Sequence, residues 1–120
     1  TEPITLYEFK ANRMPIGLYD KLDPFTNTRI DILPGDVIYF ASDGYADQFG
    51  GEKGKKYTYK RMKRLLLSLY NVPLSQQEQI LDEEMLKWRG VEYTMENGVR
   101  NIISEKEEQI DDQIIIGIRF

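Results

Sequence analysis

The spacing of apolar and polar positions changes several times along the chain. Ile4, Leu6, Tyr7 and Phe9 alternate loosely over residues 4–10 and predict a strand. Met14-Pro15-Ile16-Gly17 breaks that pattern. Over Thr28–Leu33, Ile30 and Ile32 alternate with Arg29 and Asp31, which predicts a strand with one wet face. Pro34-Gly35-Asp36 is a turn signal. Val37–Ala41 is a nearly continuous apolar run, suited to a strand buried on both faces. A hairpin pairing residues 28–33 with 37–41 is the simplest expectation.

The period then lengthens. Tyr45–Lys56 reads as a loop, with Gly50, Gly51 and Gly54 supplying flexibility. Met62, Leu65, Leu66 and Leu69 fall at i, i+3, i+4 and i+7, predicting an amphipathic helix over Tyr59–Tyr70 that ends at Val72-Pro73. Ser75-Gln76-Gln77-Glu78 has the form of a capping box opening a second helix. That helix buries Leu81, Met85 and Trp88 and closes on Gly90. Residues 91–107 are charged and weakly patterned and are expected to form a loop or excursion. Ile114–Phe120 is the last strand, returning to the sheet from far along the chain. No internal repeat or low-complexity tract is visible.

Composition narrows the chemistry. The 120 residues suffice for one domain with one core. No apolar run approaches the roughly 20 residues that span a bilayer. With no Cys, disulfides, thiolate nucleophiles and Cys-ligated zinc are excluded; with no His, so are the usual general base and the Ser-His triad. Net charge is −4 but uneven: Lys53, Lys55, Lys56, Lys60, Arg61, Lys63 and Arg64 fall within residues 53–64, which hold no acid. That segment is either the solvated face of a helix or an attractor for an anionic substrate. An acidic chain with one short basic stretch is a poor candidate for nucleic-acid binding.

What remains is carboxylate chemistry. Gly35-Asp36-Val37-Ile38-Tyr39-Phe40-Ala41-Ser42-Asp43-Gly44 carries an apolar strand to an Asp, and Gln109-Ile110-Asp111-Asp112 leads into another. Asp residues at two strand ends can meet at one edge of a sheet and share a hard cation, which takes oxygen ligands. Singly, Ser-Asp-Gly is a common turn and Asp-Asp a common strand guard. Asp36 reads as a turn residue, and Asp47 stays open between turn and ligand.

In combination these residues resemble a known family. Pro15-Ile16-Gly17, Gly35-Asp36 before an apolar strand, Ser42-Asp43-Gly44, two helices and Asp111-Asp112 before a terminal strand are similar to the metal-dependent PPM protein phosphatases. Ser42-Asp43-Gly44-Tyr45-Ala46-Asp47-Gln48-Phe49-Gly50-Gly51 and Trp88-Arg89-Gly90 look like the SpoIIE-type bacterial branch. The resemblance implies an α+β fold, the α-β-β-α sandwich with mainly antiparallel strands, here a partial domain with two helices. It implies two Mg²⁺ or Mn²⁺ ions and dephosphorylation of phosphoserine or phosphothreonine by a metal-activated water. Asp43 and Asp111 would be metal ligands, Asp112 a neighbouring carboxylate, and Gly44 the point where backbone passes close to the metals. Lys53, Lys55 and Lys56 are candidates for docking a phosphoprotein, for example one like an anti-sigma-factor antagonist.

The family carries further ligands in its N-terminal half, including an Asp-Gly pair, for which this chain has no equivalent. It also has Thr where Ile114 stands. The chain therefore reads as the C-terminal half of such a domain, binding divalent ions weakly, on the order of millimolar. The setting implied is bacterial signal transduction in the cytoplasm, with a parent sensor that can be membrane-attached and no membrane contact by this segment. A second expectation is a non-catalytic interaction or regulatory domain on the same scaffold. Unpaired strand edges also predict self-association.

Overall fold

The structure is a computed structural model and describes residues 4–10 and 29–120. Two helices and antiparallel strands make an α+β fold, as the sequence leads one to expect. The order is β1 (Val37–Ala41), β2 (Phe49–Gly50), β3 (Lys55–Lys56), α1 (Tyr59–Ser68), α2 (Leu74–Arg89), β4 (Val91–Glu96), β5 (Val99–Glu105) and β6 (Ile115–Arg119). The described strands pair as β1 with β6, β2 with β3 and β4 with β5, all antiparallel.

The pairing of β1 departs from the expected hairpin. Residues 29–33 form no strand, and Thr28 and the Met14–Gly17 break lie outside the described residues. Pro34 and Gly35 do turn the chain, with Gly35 at φ +92°. The hydrogen bonds that a local hairpin would use go instead to the far end of the chain. Gly35 N donates to Phe120 O at 2.6 Å, and Phe120 N donates to Asp36 O at 2.9 Å. Residues 4–10 likewise form no strand: they pair with no strand among the described residues, and of them Leu6 packs on the core.

The β1–β6 ribbon has one covered face and one bare one. Tyr39 and Gly117 face α2, where Tyr39 Oη donates to Gln77 Oε1 at 2.6 Å. On the other face Phe40 is 58% exposed, alongside exposed Ile116 and Ile118. β1 is thus partly covered on one face, not buried on both, among the described residues.

The core lies between the two helices and the segment that follows β1. Tyr45, Ala46, Tyr57, Met62, Leu66 and Met85 are buried together, with Leu81 and Trp88 packed against them. α1 matches its predicted period and is capped by Thr58, whose Oγ1 accepts from Arg61 N. α2 starts at Leu74, with Pro73 as its N-cap and no side-chain cap. Ser75 is therefore inside the first turn, and the capping box does not form. The Pro73 carbonyl takes the Gln76 and Gln77 amides, while Gln77 is drawn inward. Gln77 is 2% exposed and its Nε2 donates to Leu69 O, which also takes the Val72 amide, and to Val72 O, fixing the turn between the helices. Gly90 closes α2 in the left-handed region, as expected.

Residues 91–107 are not a loop. They hold the β4–β5 hairpin, turned by Asn97-Gly98 at φ +51° and +75°. Arg100 ties this hairpin to α2 through Asp82 at 2.7 Å and stacks its guanidinium over Tyr93. The Gly50-Gly51 step is likewise no free linker. It lies against the Trp88 indole, and Gly51 N donates to Trp88 O at 2.8 Å.

Candidate functional site

Antiparallel pairing places the end of β1 beside the start of β6. The last ladder pair is Ala41 with Ile115. The next residues, Ser42-Asp43-Gly44, therefore emerge next to Asp112-Gln113-Ile114. Ser42 continues the ladder, its N–H donating to Ile114 O at 2.9 Å. Its hydroxyl then bridges the strands, donating to Asp112 O at 3.0 Å and accepting from Ile114 N at 3.0 Å. On the far side of Asp43, Gly44 presses on the same peptide. A Cβ at Gly44 would overlap the Asp112 carbonyl oxygen and lie 2.8 Å from its carbon. Asp43 is thus flanked on both sides by residues that touch the Asp112 carbonyl.

The Asp43 loop is a tight turn, with Asp47 N donating to Asp43 O at 2.9 Å. The Asp43 carboxylate accepts the Tyr59 hydroxyl from the first turn of α1. That bond, with partial burial and the negative charge nearby, pushes the Tyr59 phenol up to about 12. Asp111 Oδ1 accepts the Asp112 amide at 2.8 Å, and the Asp111 carbonyl accepts from Gln109 Nε2 at 3.0 Å. Asp43, Asp111 and Asp112 are all exposed. Asp47 forms an ion pair with Lys56 at 3.6 Å, while Lys53 and Lys55 stand exposed on the adjoining turn and on β3. The basic stretch is therefore shared between that turn, β3 and α1 rather than lying along one helix face.

A buried amide lies beneath these loops. Gln48 is 3% exposed. Its Nε2 donates to Glu108 O at 2.8 Å and Phe49 O at 3.0 Å, and its Oε1 accepts from Gln113 Nε2 at 3.2 Å. Its own carbonyl accepts from Tyr57 N at 2.9 Å and Trp88 Nε1 at 3.0 Å. Ser42 and Gln48 stand in the motif strings but, like Tyr59, receive no role from the sequence, because the value of each lies in partners distant along the chain.

The donor set is all oxygen, which suits a hard cation. Among the described residues no group of three or more Asp, Glu, His or Cys gathers closely enough to hold an ion by itself. Asp43 and Asp111 are too few to satisfy an octahedral ion without water or further ligands. They do not fill a two-ion centre.

No family model matches the chain, and no curated protein matches it. Among solved structures the chain is similar to the SiaA-PP2C domain of Pseudomonas aeruginosa, with 26% sequence identity and a TM-score of 0.59. The match covers 76% of this chain and 31% of that one. The fold is that of a partial PP2C-like domain. The chain thus spans less than a third of the length of the structure it matches, and the likeness supports a phosphatase-type domain of the PPM kind.

Proposed function

We propose that the chain is the C-terminal portion of a SpoIIE-type, metal-dependent protein serine/threonine phosphatase domain working in bacterial signal transduction. The observation that carries this reading is the seam between Ser42-Asp43-Gly44 and Asp112, in a fold similar to a PP2C domain. It brings together two carboxylate segments about 70 residues apart (Ser42 and Asp112 are separated by 70). Asp43 and Asp111 would hold Mg²⁺ or Mn²⁺, with Asp112 alongside. When bound, such an ion supplies an acidified water and neutralises phosphoryl oxygens. The chain's own part is positional. Ser42 and Gly44 fix the two loops face to face, and Tyr59 orients the Asp43 carboxylate. Lys53 and Lys55, with Lys56 beside Asp47, give the approach a positive charge suited to a phosphoprotein.

The test is Mn²⁺-dependent hydrolysis of p-nitrophenyl phosphate and a phosphoserine peptide. It compares this chain with the chain extended upstream in its parent, each with an Asp43→Asn control. Activity in the extended form that Asp43→Asn abolishes supports the reading. Equal activity in the Asp43→Asn control refutes it.

The absence of a three-carboxylate group among the described residues favours a second reading, a non-catalytic interaction or regulatory domain. That reading predicts no hydrolysis by the extended form and no binding of Mn²⁺.

A further inference from the structure

Residues 106–114 join β5 to β6 without regular structure, and Asp111 and Asp112 lie in this segment. Its first part is fixed to the end of α2: Lys106 N donates to Gly90 O at 3.3 Å and Glu107 N to Arg89 O at 3.0 Å. Beyond that point, the side-chain bonds gripping it from the Asp43 side come from Ser42 and Gln48 among the described residues. Gln48 holds both flanks of the Asp-Asp arch at once. Its Nε2 takes the Glu108 carbonyl before the arch and its Oε1 takes the Gln113 amide after it. Gln48 also belongs to the Asp43 turn, its N–H reaching Tyr45 O at 3.4 Å.

We infer that Gln48 is the positioning residue of the metal site, a buried clamp that sets where Asp111 stands relative to Asp43. This rests on the phosphatase reading of the site. The physical case is the burial of the amide. Both its nitrogen and its oxygen are used, in a place where an unpaired amide would be costly, so the arch cannot drift without breaking bonds that water does not replace. Ser42 ties the two segments at the exposed edge, and Gln48 adds the buried tie that spans the arch from Glu108 to Gln113. The residue touches no reacting group, and its role is geometric.

The experiment is a Mn²⁺ titration of the ¹⁵N-labelled chain followed by amide line broadening, for the wild type, Gln48→Met and Gln113→Leu. In the wild type, the Asp43–Gly44 and Asp111–Asp112 signals are expected to broaden together over one concentration range. Gln48→Met keeps the volume and the backbone bonds to Tyr57 and Trp88. It should leave the near-ultraviolet Trp88 signal intact, raise the Mn²⁺ concentration needed by about tenfold and make the two segments broaden separately. Gln113→Leu removes one neutral bond and should raise it about threefold. A Gln48→Met titration identical to the wild type overturns the inference. If Gln48→Met does not fold, an unchanged Gln113→Leu titration overturns it instead.

Failure of the metal reading looks different. No wild-type broadening at ~10 mM Mn²⁺ removes the ion. The clamp is then read from the cross-peak between Gly44 Hα and the Gln113 amide, groups the structure places in contact. Its loss in Gln48→Met supports the clamp, and its retention overturns it.

Discussion

Replacing Gly44 with alanine tests the seam most directly. The added Cβ would overlap the Asp112 carbonyl oxygen, lie 2.8 Å from the carbonyl carbon and 3.3 Å from Gln113 N. Every one of these neighbours is backbone, so none can swing aside as a side-chain tip would. Relief requires the two loops to part by about an ångström, judged against ordinary carbon–oxygen contact of ~3.5 Å. Overpacking against rigid surroundings costs roughly 1–3 kcal/mol, and backbone on both sides puts Gly44→Ala at the upper end. Parting also stretches the Ser42 hydroxyl bonds to Asp112 O and Ile114 N, each worth about 1 kcal/mol net. Urea denaturation should therefore show a loss of about 3 kcal/mol in Gly44→Ala. A second effect follows from the ion. A site of ~1 mM affinity stabilises the wild type by about 1.4 kcal/mol at ~10 mM Mn²⁺. Gly44→Ala should lose that increment. A Gly44→Ala midpoint within the equivalent of about 0.5 kcal/mol of the wild type would show that the loops do not meet as described.

Glycine substitutions elsewhere separate steric from conformational cost. Gly98→Ala meets nothing within 4 Å and bears only its positive φ, about 1 kcal/mol, whereas Gly51→Ala also drives a Cβ to 2.7 Å from the Trp88 ring and should cost clearly more, with a change in Trp88 fluorescence. Equal losses by chemical denaturation would contradict the Trp88 contact. Phenol ionisation should be late: burial raises Tyr39, Tyr45 and Tyr57, and the bond to Asp43 raises Tyr59 to about 12. With folded values above the unfolded one near 10, the folded chain holds more protons than the unfolded, so stability is full below pH 10 and falls as pH rises through the folded values. A 295 nm titration showing all tyrosines ionising near pH 10 without unfolding would refute this. The bare ribbon face around Phe40 predicts concentration-dependent self-association, and sedimentation velocity showing a single monomer at every concentration would contradict it.

How much of this was legible in the sequence depends on the range of each interaction. α1, the Gly90 stop and the strand character of Val37–Ala41 and Ile115–Arg119 follow from local period and conformation, and they stand. The partner of β1 was not local. Alternation marks a strand but not its neighbour: residues 29–33 alternate, yet Gly35 and Asp36 bond to Phe120. The β4–β5 hairpin was readable in principle: Val91, Tyr93 and Met95 alternate with Glu92, Thr94 and Glu96, and Asn97-Gly98 is a strong turn signal. The high charge of its wet face obscured that period. The capping box failed because Pro73, with its fixed φ, serves as the N-cap and starts the helix two residues sooner than Ser75 would. Asp43, Asp111, Asp112 and Gly44 came from motif and resemblance, and the structure places their segments side by side. Gln48 could not be found that way, since nothing in an isolated glutamine reveals that it will be buried.

The β1–β6 pairing also orders events in time. Val37 pairs with Arg119, so all the chain between them must be synthesised before this ribbon can close. The helices α1 and α2 are joined by a short connection and can pack as soon as they leave the ribosome, whereas a contact this distant in sequence is slow. Asp43 thus waits, already made, for a partner segment synthesised about 70 residues later. A chain cut short before Ile115 would keep its helices and lose the pairing that holds the seam, so the two carboxylate segments come side by side only once β6 has been made.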